Sequence, residues 1–458
     1  MPDLRNVQSI LAHTPPQPRS FILFFRALGN PSGARRFLAS LRPMTPHALE
    51  DNPHGRAVAY PALSWRALAA LAAAAAGLDP EEGRRQLEPA FVERTPDHPG
   101  VAGDMGFTGP DAPANWWGAG VTGADLELAV YACFPDEGRA ASGVARIRGM
   151  AAAEGLPEVR VPAFPGGALN GHRPAGGILH FGYRDGITSP AVDWTGDRPG
   201  ATDFREFLLG YPNADYPVAP VPEGPWRSFV TDGSFACLAW LRQDVAAFNR
   251  FLEEEGGKLR GGPEWLAARV MGRWRDGSPV LRWPDAPPAT PDFDDGFGFA
   301  ADPDGALCPR NAHIRVVNMR DDTMTYPNRS RFPKGPPRLM RRGFTYGPPL
   351  GGTADDGVDR GIVGMFLCSR VNEQFYTALR WMNATTFAEG FGCPPHSEAM
   401  QDALAGNRDP AKADPGLLAG GKRLALRKFV TYRGVAVLFM PGLQALDTLC
   451  GARSNHDA

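Results

Sequence analysis

A strand–helix unit occurs twice in this chain with the same internal spacing, and that repetition does most to limit the folds open to it. Ser20-Phe21 opens a short apolar run to Phe25, followed by Asn30 and Pro31 and then a helical pattern through Phe37, Leu38 and Leu41. Ser234-Phe235-Ala236-Cys237-Leu238-Ala239-Trp240 opens a second run, leading into a helical pattern that carries Val245, Phe248, Phe251 and Leu252. Ser20-Phe21 precedes Arg36-Phe37-Leu38 by the same step as Ser234-Phe235 precedes Arg250-Phe251-Leu252, with no gap. Such a match indicates an internal duplication. A further pairing agrees: Leu126 to Phe134 is strand-like and leads into a helix over Ala140 to Ala153, while Ile362 to Cys368 leads into Glu373 to Met382. Each half then holds two strand–helix units, the content of a ferredoxin-like split βαβ domain. The predicted class is α+β, two ferredoxin-like domains over 1–225 and 226–458, with antiparallel sheets and helices on one face. The last strand signal, Phe429 to Thr431 with Val435 to Phe439, predicts a hairpin about Arg433-Gly434 that closes the second sheet.

Composition narrows the partners. The chain has 458 residues, 43% hydrophobic and 21% charged, with a net charge of -2, so charge gives no case for nucleic acid or an anionic membrane. The longest apolar run, Ala67 to Leu78, falls short of the roughly 20 residues that span a bilayer. It reads as a helix ending near Gly77 and Asp79-Pro80. Arg35-Arg36-Phe37-Leu38 has the outline of a twin-arginine export signal, but Arg42 and Pro43 follow where an apolar segment should be, so the expected location is cytoplasmic. Cys133, Cys237, Cys308, Cys368, Cys393 and Cys450 form no CxxC pair, which argues against a disulfide framework and a structural zinc site.

Two long Gly- and Pro-rich regions, 182–224 and 284–337, are where ordered loops would line a functional site. Cys308-Pro309-Arg310-Asn311-Ala312-His313-Ile314-Arg315 reads as a helical turn started by Pro309, with His313 one turn further on. The residues alone make His313 a candidate metal ligand. Asp185, between Gly182 and Gly186, is by itself a turn residue, and Arg341-Arg342 by itself a solvated pair. Arg273-Trp274 reads as structural, and Cys308 as a buried or capping residue.

Taken together and in order, these stretches resemble the dye-decolorizing peroxidase family. Gly182-Tyr183-Arg184-Asp185-Gly186 matches its GxxDG signature; Cys308-Pro309, Ala312-His313-Ile314-Arg315 and Asn318 resemble its haem-ligand stretch; Arg341-Arg342-Gly343-Phe344-Thr345-Tyr346-Gly347 resembles its distal arginine segment. Further matches are Gly233-Ser234, Gln243-Asp244-Val245, Gly272-Arg273-Trp274 with Gly277 and Pro279, Gln374-Phe375, and Phe429-Val430-Thr431 with Pro441. The resemblance implies haem b in the second half, held non-covalently since CxxCH is absent. It implies a peroxidase whose partners are hydrogen peroxide and a bulky, dye-like or phenolic electron donor, working as a monomer or homodimer. A haem-handling protein with incidental peroxidase activity is the other reading.

By resemblance, His313 is the axial iron ligand, Asp185 the acid–base group and Arg341 the stabiliser of developing negative charge. The spacing alone leaves Arg341 and Arg342 open; the family's arginine stands five residues before the aromatic of its Tyr-Gly pair, which selects Arg341. Ile187, Ser189, Arg315 and Arg341 are expected at the cofactor, Arg315 on a haem propionate, and Asp409 is the candidate carboxylate behind His313. Gly364 falls where many relatives carry a bulky residue, so the peroxide pocket is either wider than usual or filled from elsewhere.

Overall fold

The structure is a computed structural model that describes every residue except 16–18, 52, 119, 199, 213–220, 322–337, 384–399, 412 and 452–458. Cys393 and parts of both Gly- and Pro-rich regions lie outside the described residues; the five described cysteines are free thiols.

Eight strands carry the architecture: β1 (Arg19–Phe25), β2 (Val58–Leu63), β3 (Leu128–Phe134), β4 (Glu158–Val159), β5 (Ser234–Gln243), β6 (Phe344–Tyr346), β7 (Gly361–Cys368) and β8 (Val430–Met440). The order across the sheet is β6-β7-β5-β8-β2-β3-β1-β4, every neighbouring pair antiparallel. Within each half the strands run second, third, first, fourth across the sheet, which is the ferredoxin-like order. The duplication read from the repeated strand–helix unit is therefore present as topology. The halves meet edge to edge at β8 and β2, through Phe439 opposite Leu63, so the two expected sheets form one. Leu169–Gly171 adds to β1 and Met340–Arg341 to β7.

The helices follow the sequence signals. Asn30 caps α1 (Pro31–Leu41) through its side chain to Gly33 N, and Pro31 takes the first position, where no N–H partner is needed. Ser64 caps α2 (Trp65–Ala76), which stops at Gly77 with φ +67. Asp136 caps α3 (Glu137–Ala153), Asp244 caps α4 (Val245–Phe251), and two further helices, α5 (His313–Val317) and α6 (Thr377–Asn383), border the site. Among the described residues no helix is long and apolar enough to cross a membrane.

The predicted hairpin about Arg433-Gly434 is not formed. The segment is one strand, β8, whose register against β5 shifts between Tyr432 and Gly434. Arg-Gly reads as a turn in sequence, but the Trp117 indole lies against Gly434, where a Cβ would stand 2.7 Å from the ring, and Trp117 N donates to Arg433 O. The glycine admits a ring rather than a reversal of the chain.

Glu88 joins the halves. Its carboxylate accepts from Val371 N at 2.7 Å and Asn372 N at 2.5 Å, capping the π-helical turn Val371–Tyr376 that continues into α6. Burial pushes its carboxyl up to about 7, against the two backbone N–H groups; Glu373 adds to the rise and Arg370 opposes it. A carboxyl raised in the folded state contributes stability that is present below its unfolded value and lost as pH rises through the folded one. Between about pH 4.5 and 7 the fold should therefore lose on the order of 2 kcal/mol from this group. Urea midpoints at pH 5 and 7.5 check this: Glu88→Gln should flatten the difference, and an unchanged difference would exclude Glu88 as its source.

Candidate functional site

A largely apolar cavity of about 330 Å³ lies on the second half of the sheet. Ala239, Leu241 and Gln243 of β5 face it, as do Ile362, Gly364 and Phe366 of β7 and Val430 and Tyr432 of β8, because alternate residues of a strand share one face. His313 and Val317 of α5 and Ala378, Leu379 and Trp381 of α6 close it from the helical side, and the Gly182–Pro190 loop brings Asp185, Thr188 and Ser189.

The loop is held by its glycines. Gly182 and Gly186 have φ of +86 and +85, a region costly for any side chain, and a Cβ on Gly186 would stand 2.7 Å from Arg173 Nη2. Asp185 N donates to Gly177 O at 2.8 Å and Arg184 N to Arg275 O at 3.1 Å. The Asp185 carboxylate is thus presented from a fixed turn, 42% exposed, with Arg341 Nη2 3.8 Å from its Oδ1. Arg341 Nη2 also donates to Thr188 Oγ1 at 3.1 Å.

The choice between the two arginines follows from the pleat. Arg341 pairs with Phe366 in an extended segment, and successive side chains there leave on opposite faces. Arg341 turns to Asp185; Arg342 turns into the core, where its Nε donates to Ile10 O at 2.7 Å and burial pushes its guanidinium down to about 10.

His313 begins a helix instead of ending one. Pro309 to Ala312 is a separate turn closed by Ala312 N to Pro309 O, and the extended backbone of Ala312 (ψ 137) breaks it from α5. The turn that Pro309 starts therefore ends before His313, which opens a helix of its own and does not lie within the expected Pro-started one. His313 Nδ1 lies 2.8 Å from Asp402 Oδ2. A carboxylate only accepts, so Nδ1 carries the proton and Nε2 keeps the lone pair.

Asp402, not Asp409, stands behind the histidine. Its Oδ1 accepts from Leu404 N and Ala405 N, both at 2.8 Å, and its side chain is fully buried. Burial would raise this carboxyl, but the His313 ring and those two N–H groups outweigh it and hold the carboxyl below its ordinary range. Asn311 Nδ2 reaches Gln401 O and Gly416 O, Ala403 N donates to Asn311 O, and Arg408 donates to the carbonyls of Asp402 and Ala403. Asp409 instead caps a turn through Ala411 N.

Asp402→Asn tests the arrangement. Asparagine would keep its oxygen for Leu404 and Ala405 and turn its NH₂ to Nδ1, moving the ring proton to Nε2. Haem affinity, measured by titration at the Soret band, is expected to fall about 10–100-fold; a change under twofold would refute the link.

Two further expectations, for Arg315 and Ile187, turn out differently, and the alternative left open at Gly364 is decided. Arg315 is buried, its donors committed to Asp302 O, Asp302 Oδ2 and Cys308 O, with Phe299 against its guanidinium, so it does not reach the cavity. Ile187 packs its Cδ1 over Gly277 and does not line the cavity, whereas Ser189 does. At Gly364 the space is filled from elsewhere: a Cβ there would stand 2.6 Å from the Phe366 ring. Arg273 and Trp274 are structural as read: Arg273 donates to Gly277 O and Trp274 Nε1 to Trp283 O. Cys308 is buried, its N–H on Asp302.

Missed in sequence were Asp402, Phe366 and Arg338. Arg338 lines the cavity, burial pushes its guanidinium down, and no hydrogen bond or ion pair joins that guanidinium to a described residue.

The donors of the site suit haem better than a bare metal ion. Among the described residues no cluster of three His, Cys, Asp or Glu could hold a bare metal ion. A single imidazole with a fixed tautomer fits a metal whose other positions are filled by a macrocycle. The apolar walls, the volume and the unpaired Arg338 fit an apolar ring with acidic substituents.

Two ferredoxin-like halves joined in one sheet are also the fold of solved dye-decolorizing peroxidases. A solved dye-decolorizing peroxidase in complex with 2,6-dimethoxyphenol superposes with a TM-score of 0.75 at 22% identity, covering 98% of this chain and 100% of that one. Peroxidase 2 of Mycetinis scorodonius is 28% identical over 298 residues, 59% of this chain and 56% of its own length. A dye-decolorizing peroxidase of Mycena epipterygia is 32% identical over 252 residues, 49% of this chain and 44% of its own. The matched region thus spans about half the length of these curated relatives. No family model matches the chain. The chain thus has the fold of the solved dye-decolorizing peroxidases and is similar in sequence to members of that family over about half its length.

Proposed function

We propose that this protein is a haem peroxidase that reduces hydrogen peroxide and oxidises bulky, dye-like or phenolic donors in one-electron steps, with haem b held non-covalently. The observation that carries the reading is the meeting, in one apolar cavity, of Asp185 with Arg341 and of His313 with Asp402. His313 Nε2 would be the iron ligand and Arg338 would receive a haem carboxylate. Bound haem would supply the redox-active iron that takes up and returns electrons.

The chain's own groups do the rest. The Asp185 carboxylate accepts a proton from one oxygen of peroxide and delivers it to the other as the O–O bond breaks. Arg341, permanently cationic, stabilises the charge that develops on the departing oxygen. Asp402 keeps the His313 proton on Nδ1 and so makes Nε2 the more basic donor.

The proposed assembly is a monomer or homodimer without nucleic-acid or membrane partners. The proposed location is cytoplasmic, since Arg35 and Arg36 belong to α1, a helix whose Phe37 and Leu38 are buried in the core. The test is reconstitution with haem, followed by optical spectra with and without peroxide and turnover of a phenolic donor. Absence of a Soret band, or a spectrum indifferent to peroxide, would overturn the reading.

A further inference from the structure

A second cavity, of about 470 Å³, lies on the same sheet face at the other end of β5. Phe235 borders it while Ala239 borders the first, roughly 13 Å along the strand at 3.3 Å per residue. Adjacent residues of one helical turn separate the two: Phe375 faces the first and Tyr376 the second.

Its walls have two characters. Leu208, Val221, Phe235 and Tyr376 are among the apolar ones. Arg84, Arg85, Arg94, Arg205, Arg370 and Arg380 supply cations against two acids, Glu88 and Glu373. Arg370 is only 8% exposed, so one of the charges lies deep in the wall. Several of these cations already have partners, Arg84 with Glu81 and Glu93, Arg94 with Asp104, Arg205 with Asp203 and Arg380 with Asn372 Oδ1, while Glu88 spends its carboxylate on two backbone N–H groups.

Two neighbouring groups lack a partner among the described residues, the exposed Arg85 guanidinium and the buried Gln86 Oε1. The Arg85 guanidinium makes no hydrogen bond or ion pair with a described residue, and Gln86 Oε1 is buried without a donor while its Nε2 is held by Glu82. Buried polar atoms are normally satisfied, so an orphan acceptor beside an uncommitted cation marks where a ligand's donor and anion would go. The volume falls in the range of small-molecule sites.

We propose that this cavity binds an amphipathic organic anion, a carboxylate on a small apolar ring that also carries a hydroxyl, with the carboxylate on Arg85 and the hydroxyl donating to Gln86 Oε1. The site is separate from the reaction proposed above and does not depend on it. Neutral ring compounds would lose the arginine contact, and simple inorganic anions would leave the apolar walls unfilled.

The test is calorimetric titration of the haem-loaded full chain with 4-hydroxybenzoate and, as the neutral counterpart, 4-hydroxybenzyl alcohol. Binding of 4-hydroxybenzoate with a dissociation constant below about 10 mM, at least about tenfold tighter than the alcohol, is expected. Arg85→Ala and Gln86→Leu should each weaken it, Arg85→Ala by about tenfold. Asp185→Asn, in the first cavity, should leave it unchanged. Equal affinity for acid and alcohol, binding indifferent to both Arg85→Ala and Gln86→Leu, no binding at about 10 mM, or loss through Asp185→Asn would each overturn the assignment. Failure here would leave the peroxidase reading untouched, since that rests on the optical response to peroxide.

Discussion

Asp185→Asn is expected to slow the reaction of the haem-loaded protein with hydrogen peroxide by about 10²–10⁴-fold. Asparagine keeps the size of the side chain, and the loop is fixed by backbone hydrogen bonds and by Gly182 and Gly186, so the geometry should persist. What disappears is the group proposed to take a proton from one peroxide oxygen and give it to the other. Haem content should be normal, because His313 and Asp402 belong to other segments. Stopped-flow absorbance after one equivalent of peroxide reads the effect. A loss smaller than about fivefold would remove Asp185 from the proton transfer.

Arg341→Leu is expected to cost about 10²–10³ in the same rate, the usual consequence of removing a preorganised donor from developing charge. Leucine approximates the stem without the cation, and Thr188 loses a partner at the surface, where little stability is at stake. Arg341 and Asp185 lie within ion-pair range, so the double variant should be less impaired than the product of the singles. Full additivity would mean that the two act on separate steps. Arg342→Leu gives the contrast: its guanidinium holds Ile10 O in the core, so the loss should appear in the urea midpoint first.

How much of this was readable beforehand depended on distance along the chain. The strand–helix units were legible because periodicity of two and of 3.6 is written in consecutive residues, and the ferredoxin-like order followed from having two such units per half. That Asp185, His313 and Arg341 would border one cavity was legible because each sits inside a short motif. The partner of His313 was not: Asp402 is remote in sequence, and as a residue capping a turn it looks the same as Asp409, which also caps one. Arg315 carried a usable signal, since residues two apart on a helix do not share a face with His313. The hairpin about Arg433-Gly434 failed because a glycine that receives a Trp117 ring cannot be told from one that turns the chain until both are in place.

One consequence follows from how firmly the imidazole is fixed. The loop behind it closes on backbone donors, an asparagine and an arginine, none of which involves a cofactor. An arriving porphyrin would therefore meet a ligand already aimed, and the entropy of ordering that loop is lost when the chain folds and not when the metal is captured.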